Sequence, residues 1–405
     1  MKKYMIVAAA AALCLASCAK FDTYTVSEND GNVAIGFTNY TPRSLTKADG
    51  TFVDNTTTAT LVVNKKFGVY AYATANGTAW ASDAIGTQFM NDVAVTFTDN
   101  DDNGVNNSYS PTRYWPSGDT PDWLTFWAYY PVQANNGITY TAPSGNNGVG
   151  SYAFEAATDA AHMVDFMVSD VVNDKIYGAS AGNPANAHIA VAGEVPLVFR
   201  HQLTKIAIKF KSNISDANTD VVLTGASLKN IKNSGILSTT YDATAQTPFT
   251  TSWAANAVAD TDDDNIGDVV YDVTISGNAI NNNVLNSTAV GGAAADIFLM
   301  VPQTMLANDA AYAQYIEVSW EVKTYAENAD HSTANPLSTT TNTKKLYFDD
   351  CTLFSTAATP VAQADNDWVK NQFTTYTITV GPNPILFTAT VEAWDAETTG
   401  AFSAN

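Results

Sequence analysis

Apolar and polar positions alternate in short runs along most of this 405-residue chain, and turn-forming residues interrupt them before a helical period is established. Lys66 to Tyr72 alternates with a rough period of two and places aromatics at Tyr70 and Tyr72; Val93 to Phe97 alternates more cleanly. Both patterns read as strands. Arg113-Tyr114-Trp115 is a strand ended by Pro116, and the aromatic run Trp123 to Tyr130, stopped by Pro131, reads as a strand in a core. Tyr152–Phe154 and Asp165–Val168 follow. A stretch rich in Gly, Ala and Asn, residues 174–193, marks a boundary. Beyond it, Val195 to Phe210 is one long strand or a tight strand pair. Further strands are expected at Val221–Leu228, Val269–Ile275, Asp296–Val301, Tyr315–Val322 and Lys345–Phe348. Two strands close the chain, Thr375–Val380 and Ile385–Trp394, with Gly381-Pro382-Asn383-Pro384 between them. Many short strands separated by turns predict an all-β protein of antiparallel β-sandwiches, not an α/β enzyme fold. Phe126–Pro131 is echoed by Phe298–Gln303, each an apolar strand stopped at a proline, which suggests two related domains in tandem over 33–195 and 196–405.

The N-terminus follows a different logic. Met1-Lys2-Lys3 is basic, and the apolar run from Met5 to Leu15 is short for a bilayer span. Leu15-Ala16-Ser17-Cys18 has the form of a bacterial lipidation site, in which residues 1–17 are a signal peptide and Cys18 carries the lipid; the alternative is an ordinary secretory signal cut nearby. Lipid chains would hold the protein at a membrane surface without a spanning segment. Residues 18–32 read as a polar tether and Val33–Phe37 as a first short strand. The loop-like segment 41–60 carries two bases, Arg43 and Lys47, in a context open to proteolysis.

Charge narrows the partners. The chain has 19 basic and 40 acidic residues, a net charge of −21. Such a balance argues against nucleic acid and against electrostatic binding to anionic lipid. Cys351 is the one cysteine beyond the N-terminal region, so the folded body has no intrachain disulfide and Cys351 is expected as a small buried side chain.

No constellation calls for a metal, a cofactor or an enzyme. Asp99-Asn100-Asp101-Asp102-Asn103-Gly104 opens like a calcium loop, but Ser110 stands where the closing Glu belongs, and the acidic run Asp260 to Asp268 lacks that Glu too. Both read as solvated turns. His162, His188, His201 and His331 lack metal-ligand spacing. There is no phosphate loop or nucleophile elbow. A carboxylate pair meeting in three dimensions would leave a glycosidase open. Trp80, Trp123 or Trp253 could stack on a sugar if exposed, although most of the eight tryptophans belong in a core or an interface.

In their order these landmarks resemble the fimbrillin-like proteins of Bacteroidetes. The matching pieces are the lipidation motif at Cys18, Val33–Phe37 followed by Arg43, Phe67–Tyr72, Arg113–Pro116, Phe126–Pro131, Asp165–Met167, Phe199–Lys205 and the pair from Tyr376 to Trp394. The resemblance implies two transthyretin-like β-sandwich domains and export as an acylated (palmitate-type) lipoprotein of the outer membrane. It also implies cleavage after a basic residue, Arg43 or Lys47, by a trypsin-like protease that removes the first strand. A strand from another pilin subunit then fills the vacated groove, building a surface fimbria for cell adhesion. A sandwich that lacks a strand exposes apolar side chains and unpaired backbone, and a donated strand satisfies both. Head-to-tail contacts of this kind propagate into a fibre. The candidate donor is 385–394, with Ile385, Phe387, Ala389, Val391 and Trp394 as pocket-filling side chains; the competing reading is an edge strand of the second domain. Arg43 and Lys47 are otherwise plain exposed bases. The alternative function is a non-polymerising, lipid-anchored tip subunit or glycan-binding adhesin for a host or bacterial surface ligand.

Overall fold

The computed structural model describes residues 33–40, 66–80, 86–100, 104–117, 120–132, 137–143, 148–158, 160–177, 188–189, 193–241, 249–255, 270–273, 275, 279–280, 297–310, 312–355, 367–381 and 386–393. Within them the chain is all-β. The first half contributes β1 (Gly36–Tyr40), β2 (Lys66–Thr74), β3 (Thr87–Asn100), β4 (Gly104–Ser108), β5 (Trp123–Tyr130), β6 (Ile138–Thr141), β7 (Ser151–Glu155), β8 (Met167–Ser169), β9 (Val172–Tyr177) and β10 (His188–Ile189). Next come β11 (Glu194–His201), β12 (Thr204–Ser212), β13 (Thr219–Lys229), β14 (Ser234–Tyr241), β15 (Phe249–Ala255) and β16 (Tyr271–Asp272). The last are β17 (Ile297–Met300), β18 (Tyr315–Thr324), β19 (Ser338–Tyr347), β20 (Thr352–Ser355), β21 (Gln372–Val380) and β22 (Leu386–Ala393).

The first sheet runs β1-β11-β8-β5-β2-β3-β4, with β9 and β10 attached beside β5. It curls until β1 approaches β4, and the side chain of Asn107 on β4 donates to Phe37 O on β1 at 2.8 Å. The two central strands explain their own sequences. β2 and β5 are buried on both faces. Phe67, Val69, Ala71, Leu124, Phe126 and Ala128 fill the inside of the curl. Tyr70, Tyr72, Trp127 and Tyr129 point the other way, into a second core. A strand enclosed on both sides loses polar alternation, which is why Trp123–Tyr130 is apolar except for Thr125, whose buried hydroxyl accepts from Asp174 N–H at 3.1 Å. Gly68 lies where a Cβ would fall onto the Tyr129 ring, so the tight crossing of β2 and β5 requires glycine there.

A second sheet, β15-β14-β7-β6, covers the outer aromatic face. It joins a hairpin from the first half to one from the second, through the antiparallel pairing of β14 with β7. The remaining sheets, β17-β12-β21-β22-β20 and β16-β13-β18-β19, pack on each other around Ile206, Phe210, Leu228, Phe298, Val318 and Ile378. Val195–Phe210 is two successive strands that do not pair with each other, neither one long strand nor a tight strand pair. β11 belongs to the first sheet and β12 to the C-terminal sandwich, and the chain crosses between them at Gln202–Leu203. The expected domain boundary at 195/196 therefore falls inside β11, and the β14–β15 hairpin packs with the first half.

Candidate functional site

β1 closes the curled sheet along a seam. The segment begins one step earlier than its ladder. Ala34 bridges Tyr114 in antiparallel fashion; Ile35 N–H donates to Arg113 O at 2.9 Å, and Trp115 N–H donates to Val33 O at 2.9 Å. From Gly36 the strand turns its hydrogen bonds to the other side and runs parallel to β11, pairing Gly36 with Glu194 through Tyr40 with Val198. The sequence places a strand at Val33–Phe37, and the ladder runs Gly36–Tyr40 because 33–35 is engaged by 113–115 instead of by β11.

Side chains seal both flanks. The Tyr109 hydroxyl donates to Ile35 O at 2.7 Å and accepts from Arg113 N–H at 3.2 Å. Burial, the largest influence on it, raises the Tyr109 phenol above its ordinary pKa. Gly193, at φ +77°, offers one carbonyl to both Gly36 N–H at 3.1 Å and Trp115 Nε1–H at 2.9 Å. That φ is strained for any residue with a Cβ, and a Cβ there would meet Ala34 O at 2.8 Å.

The seam is apolar inside. Phe37, 3% exposed, contacts Phe67, Tyr109 and Phe126 at ring-centroid separations of 6.3, 5.5 and 6.1 Å. Ile35 is buried beside it in the same core. At about 1.5–3 kcal/mol for a fully buried large apolar side chain, the two together contribute about 3–6 kcal/mol to holding β1 in place. At the mouth, Glu194 is half-buried against Gly36, and burial raises its carboxyl above the usual carboxylate value.

The candidate donor lies elsewhere. β22 is antiparallel to β21 over eight pairs, Gln372–Ala393 through Thr379–Leu386, and parallel to β20 through Thr352–Thr388 to Ser355–Val391. It is an interior strand, not the edge strand of the competing reading. Phe387 lies opposite Ile378, Ala389 is buried opposite Tyr376, and Val391 is half-buried opposite Thr374. Cys18, Arg43, Lys47, Ile385 and Trp394 lie outside the described residues; in sequence Arg43 follows the end of β1 by three residues. Sequence reasoning marked β1 and Arg113–Trp115 as strands but missed that they meet, and it gave no role to Asn107, Tyr109 or Gly193.

The other candidates fall into structural positions. Asn100 at the end of β3 pairs with Gly104 at the start of β4; residues 101–103 of the calcium-like segment lie outside the described residues, as does Asp260–Asp268. Among the described residues no three His, Cys, Asp or Glu side chains converge to hold a metal. His201 Nδ1 meets Asp165 Oδ1 at 2.8 Å, both buried, and His331 stacks on Tyr325 and meets Asp220 at 3.0 Å. Trp80 is buried, and the Trp253 indole donates to Gln202 O at 2.7 Å, so neither is a free stacking platform.

A family model described as fimbrillin-like matches residues 46–394. Fimbrium subunit Fim1C of Phocaeicola vulgatus is 29% identical over 225 residues, a match that covers 54% of this chain and about half, 54%, of that relative. Among solved structures, a fimbrial protein from Bacteroides vulgatus ATCC 8482 superposes with a TM-score of 0.52 at 21% identity, covering 90% of this chain and all of that one. A fimbrilin from Porphyromonas gingivalis W83 overlaps at a TM-score of 0.38 and 13% identity over 89% of this chain and 97% of its own. Only the first of these two overlaps bears on the fold.

Proposed function

The chain belongs to the fimbrillin-like family, and from that premise we propose that it is a fimbrial subunit held inactive by its own first strand. In this reading the precursor is exported as a lipoprotein acylated at Cys18 and anchored to the outer membrane. A trypsin-like protease cuts after Arg43 or Lys47. β1 then leaves the seam, and the C-terminal strand of another subunit, led by Ile385, Phe387, Ala389, Val391 and Trp394, takes its place. The observation that carries the reading is the seat of β1. It is a separate segment of chain, joined to the sheet by one parallel ladder and capped on its far flank by side chains, with two large apolar groups in the core. Loss of β1 would leave the free edge of β11 and an apolar trough, which a strand of alternating apolar residues matches.

The interior position of β22 supports a second reading, a terminal or free-standing adhesin that does not donate its strand. One experiment separates the two. Deleting 385–405 is uninformative, because it removes an interior strand from its own sandwich. Thr377 and Thr388 instead face each other across β21 and β22, both half-exposed. Directly opposed residues in an antiparallel pair have Cβ atoms about 4.5–5.5 Å apart, near the span of a disulfide. A Thr377→Cys/Thr388→Cys variant, starting at residue 19 and nicked with a trypsin-like protease, is expected to form a ladder on an unboiled gel when reduced and none when oxidised. A ladder that ignores oxidation would rule out β22 as donor. No ladder from the reduced variant or the unmodified chain would favour the adhesin.

A further inference from the structure

The outer face of the first sheet carries a second feature that strand exchange leaves unused. A cavity of about 700 Å³ opens where β5, β8 and β11 face the β14–β15 hairpin, and Lys370, just before β21, reaches its edge. Phe249, half-buried, gives it an aromatic wall, and the buried Trp127 and Tyr152 lie beneath its floor. Its polar side is a connected network. Lys370 Nζ donates to Thr251 O at 2.7 Å and to Thr251 Oγ1 at 2.6 Å. Thr251 Oγ1 donates to Gln202 Oε1 at 3.2 Å, and Gln202 Nε2 donates to Arg200 O at 2.9 Å. Gln202 is itself 2% exposed. Arg200 is held in a two-pronged pair with Asp170, at 2.7 and 2.8 Å.

The charges do not balance. Among the described residues two cations face this cavity with one carboxylate, and that carboxylate is paired with Arg200. Lys370 has no carboxylate partner among the described residues, and two of its three N–H groups are used. Its ammonium is half-buried, and its pKa is lowered first by desolvation and then by the Arg200 charge. A local excess of positive charge in a chain of net charge −21 needs a reason. A half-buried polar network around an under-compensated cation is an arrangement that rewards an incoming anion.

We propose that this cavity binds a carboxylate-bearing sugar, with the carboxylate on Lys370, a ring face against the half-buried Phe249, and hydroxyls on the threonine-lined rim. The threonines at the mouth, Thr239, Thr250 and Thr251, are neutral groups suited to hydroxyl partners. An acidic protein side chain would use the cation and leave the aromatic wall and hydroxyl rim without a match. The site is of the size usual for a small-molecule pocket. It is independent of β1 and β22, so it serves a polymerising subunit and an adhesin equally.

The test uses the chain from residue 19 onward and four probes: glucuronate and galacturonate, with glucose and galactose as neutral controls. Saturable quenching of tryptophan fluorescence by at least one uronate, with the neutral sugar at least about tenfold weaker, is expected. A charge-assisted hydrogen bond at about 1.5–3 kcal/mol corresponds to a tenfold or larger effect. Lys370→Met should weaken the uronate about tenfold with an unchanged near-ultraviolet circular dichroism spectrum, and Phe249→Ala should weaken it as well. Should Lys370→Met not fold, rising salt must weaken uronate binding to the unmodified protein. The proposal falls if neither uronate saturates, if neutral sugars bind equally, or if binding ignores both Lys370→Met and salt. It also falls if a short Glu-rich peptide binds as tightly as the uronates, which would make the cavity a protein-docking site.

Discussion

Phe37→Ala tests whether β1 is held by its side chains or only by its ladder. The ring is 3% exposed and bounded by Phe67, Tyr109 and Phe126. Truncating a buried Phe costs about 3–5 kcal/mol, part of it from the cavity left behind. At 1.4 kcal/mol per decade, that is at least about a hundredfold in the equilibrium between closed and open seam. The loss should be local, because β1 contributes one outer stave and the C-terminal sandwich has its own core. Amide hydrogen exchange reads this directly. Trp115 N–H is bonded to Val33 O and Ile35 N–H to Arg113 O, so both report on the seam from opposite sides. Both should exchange at least about a hundredfold faster in Phe37→Ala, while amides of β21 such as Ile378 keep their protection. If Trp115 changes less than about threefold, or if β21 amides accelerate equally, β1 is not seated as a separable strand and the reasoning fails.

Three further outcomes follow from the same contacts. Glu194 has its carboxyl raised by burial, so its contribution to seam stability is greatest below the ordinary carboxylate value of 4.5 and is lost as pH rises through the folded value; Glu194→Gln should slow Trp115 exchange at pH 7 and flatten its pH dependence. His201→Ala strands the Asp165 carboxylate in the core, where both partners are at most 4% exposed; a loss of about 3–5 kcal/mol is expected from denaturant midpoints. Burial pushes the Cys351 thiol well above its ordinary pKa, so a thiol reagent at pH 8 should leave it unmodified in the native chain and react fully after unfolding.

Strand positions were most legible in the chain where both faces were buried. Lys66–Tyr72 and Trp123–Tyr130 declared themselves because their side chains divide between two cores. Strands with little burial were not legible. β19 begins with Ser338-Thr339-Thr340-Thr341-Asn342-Thr343, a polar run without apolar alternation, and it exists because β18 pairs with it along ten residues. β14 and β15 were missed because Ser238-Thr239-Thr240 and Thr250-Thr251-Ser252 interrupt the apolar pattern around Leu237 and Trp253, and with them the sheet that joins both halves of the chain. Non-local pairing also decided the place of β22: its sequence suits a free donor or an edge, and β20, a strand of four residues, makes it interior. In the seam, the apolar strand 33–37 was visible, but Tyr109 and Gly193 act through a hydroxyl and a carbonyl that no hydrophobic pattern records.

The two strands assigned to the exchange are held unequally, and that inequality orders the events of the proposed assembly. β1 has one five-residue ladder on β11, with its other flank met by the Asn107 amide, the Tyr109 hydroxyl and the 113–115 backbone. β22 has eight pairs on one side and four on the other. Extracting β22 into water would strip two ladders at once, so release of a free donor ahead of an available acceptor is strongly disfavoured. An open seam on a neighbour changes the balance, since it offers β11 along one edge and the same amide and hydroxyl caps along the other. In the proposed assembly the peptide bond beyond β1 is cut first, because an intact chain keeps β1 at high effective concentration beside its own seat and any incoming strand must compete with it. A precursor with its acceptor filled and its donor enclosed is thus protected from polymerising at both ends, and on this reading proteolysis at Arg43 or Lys47 removes the one barrier that concentration alone does not overcome.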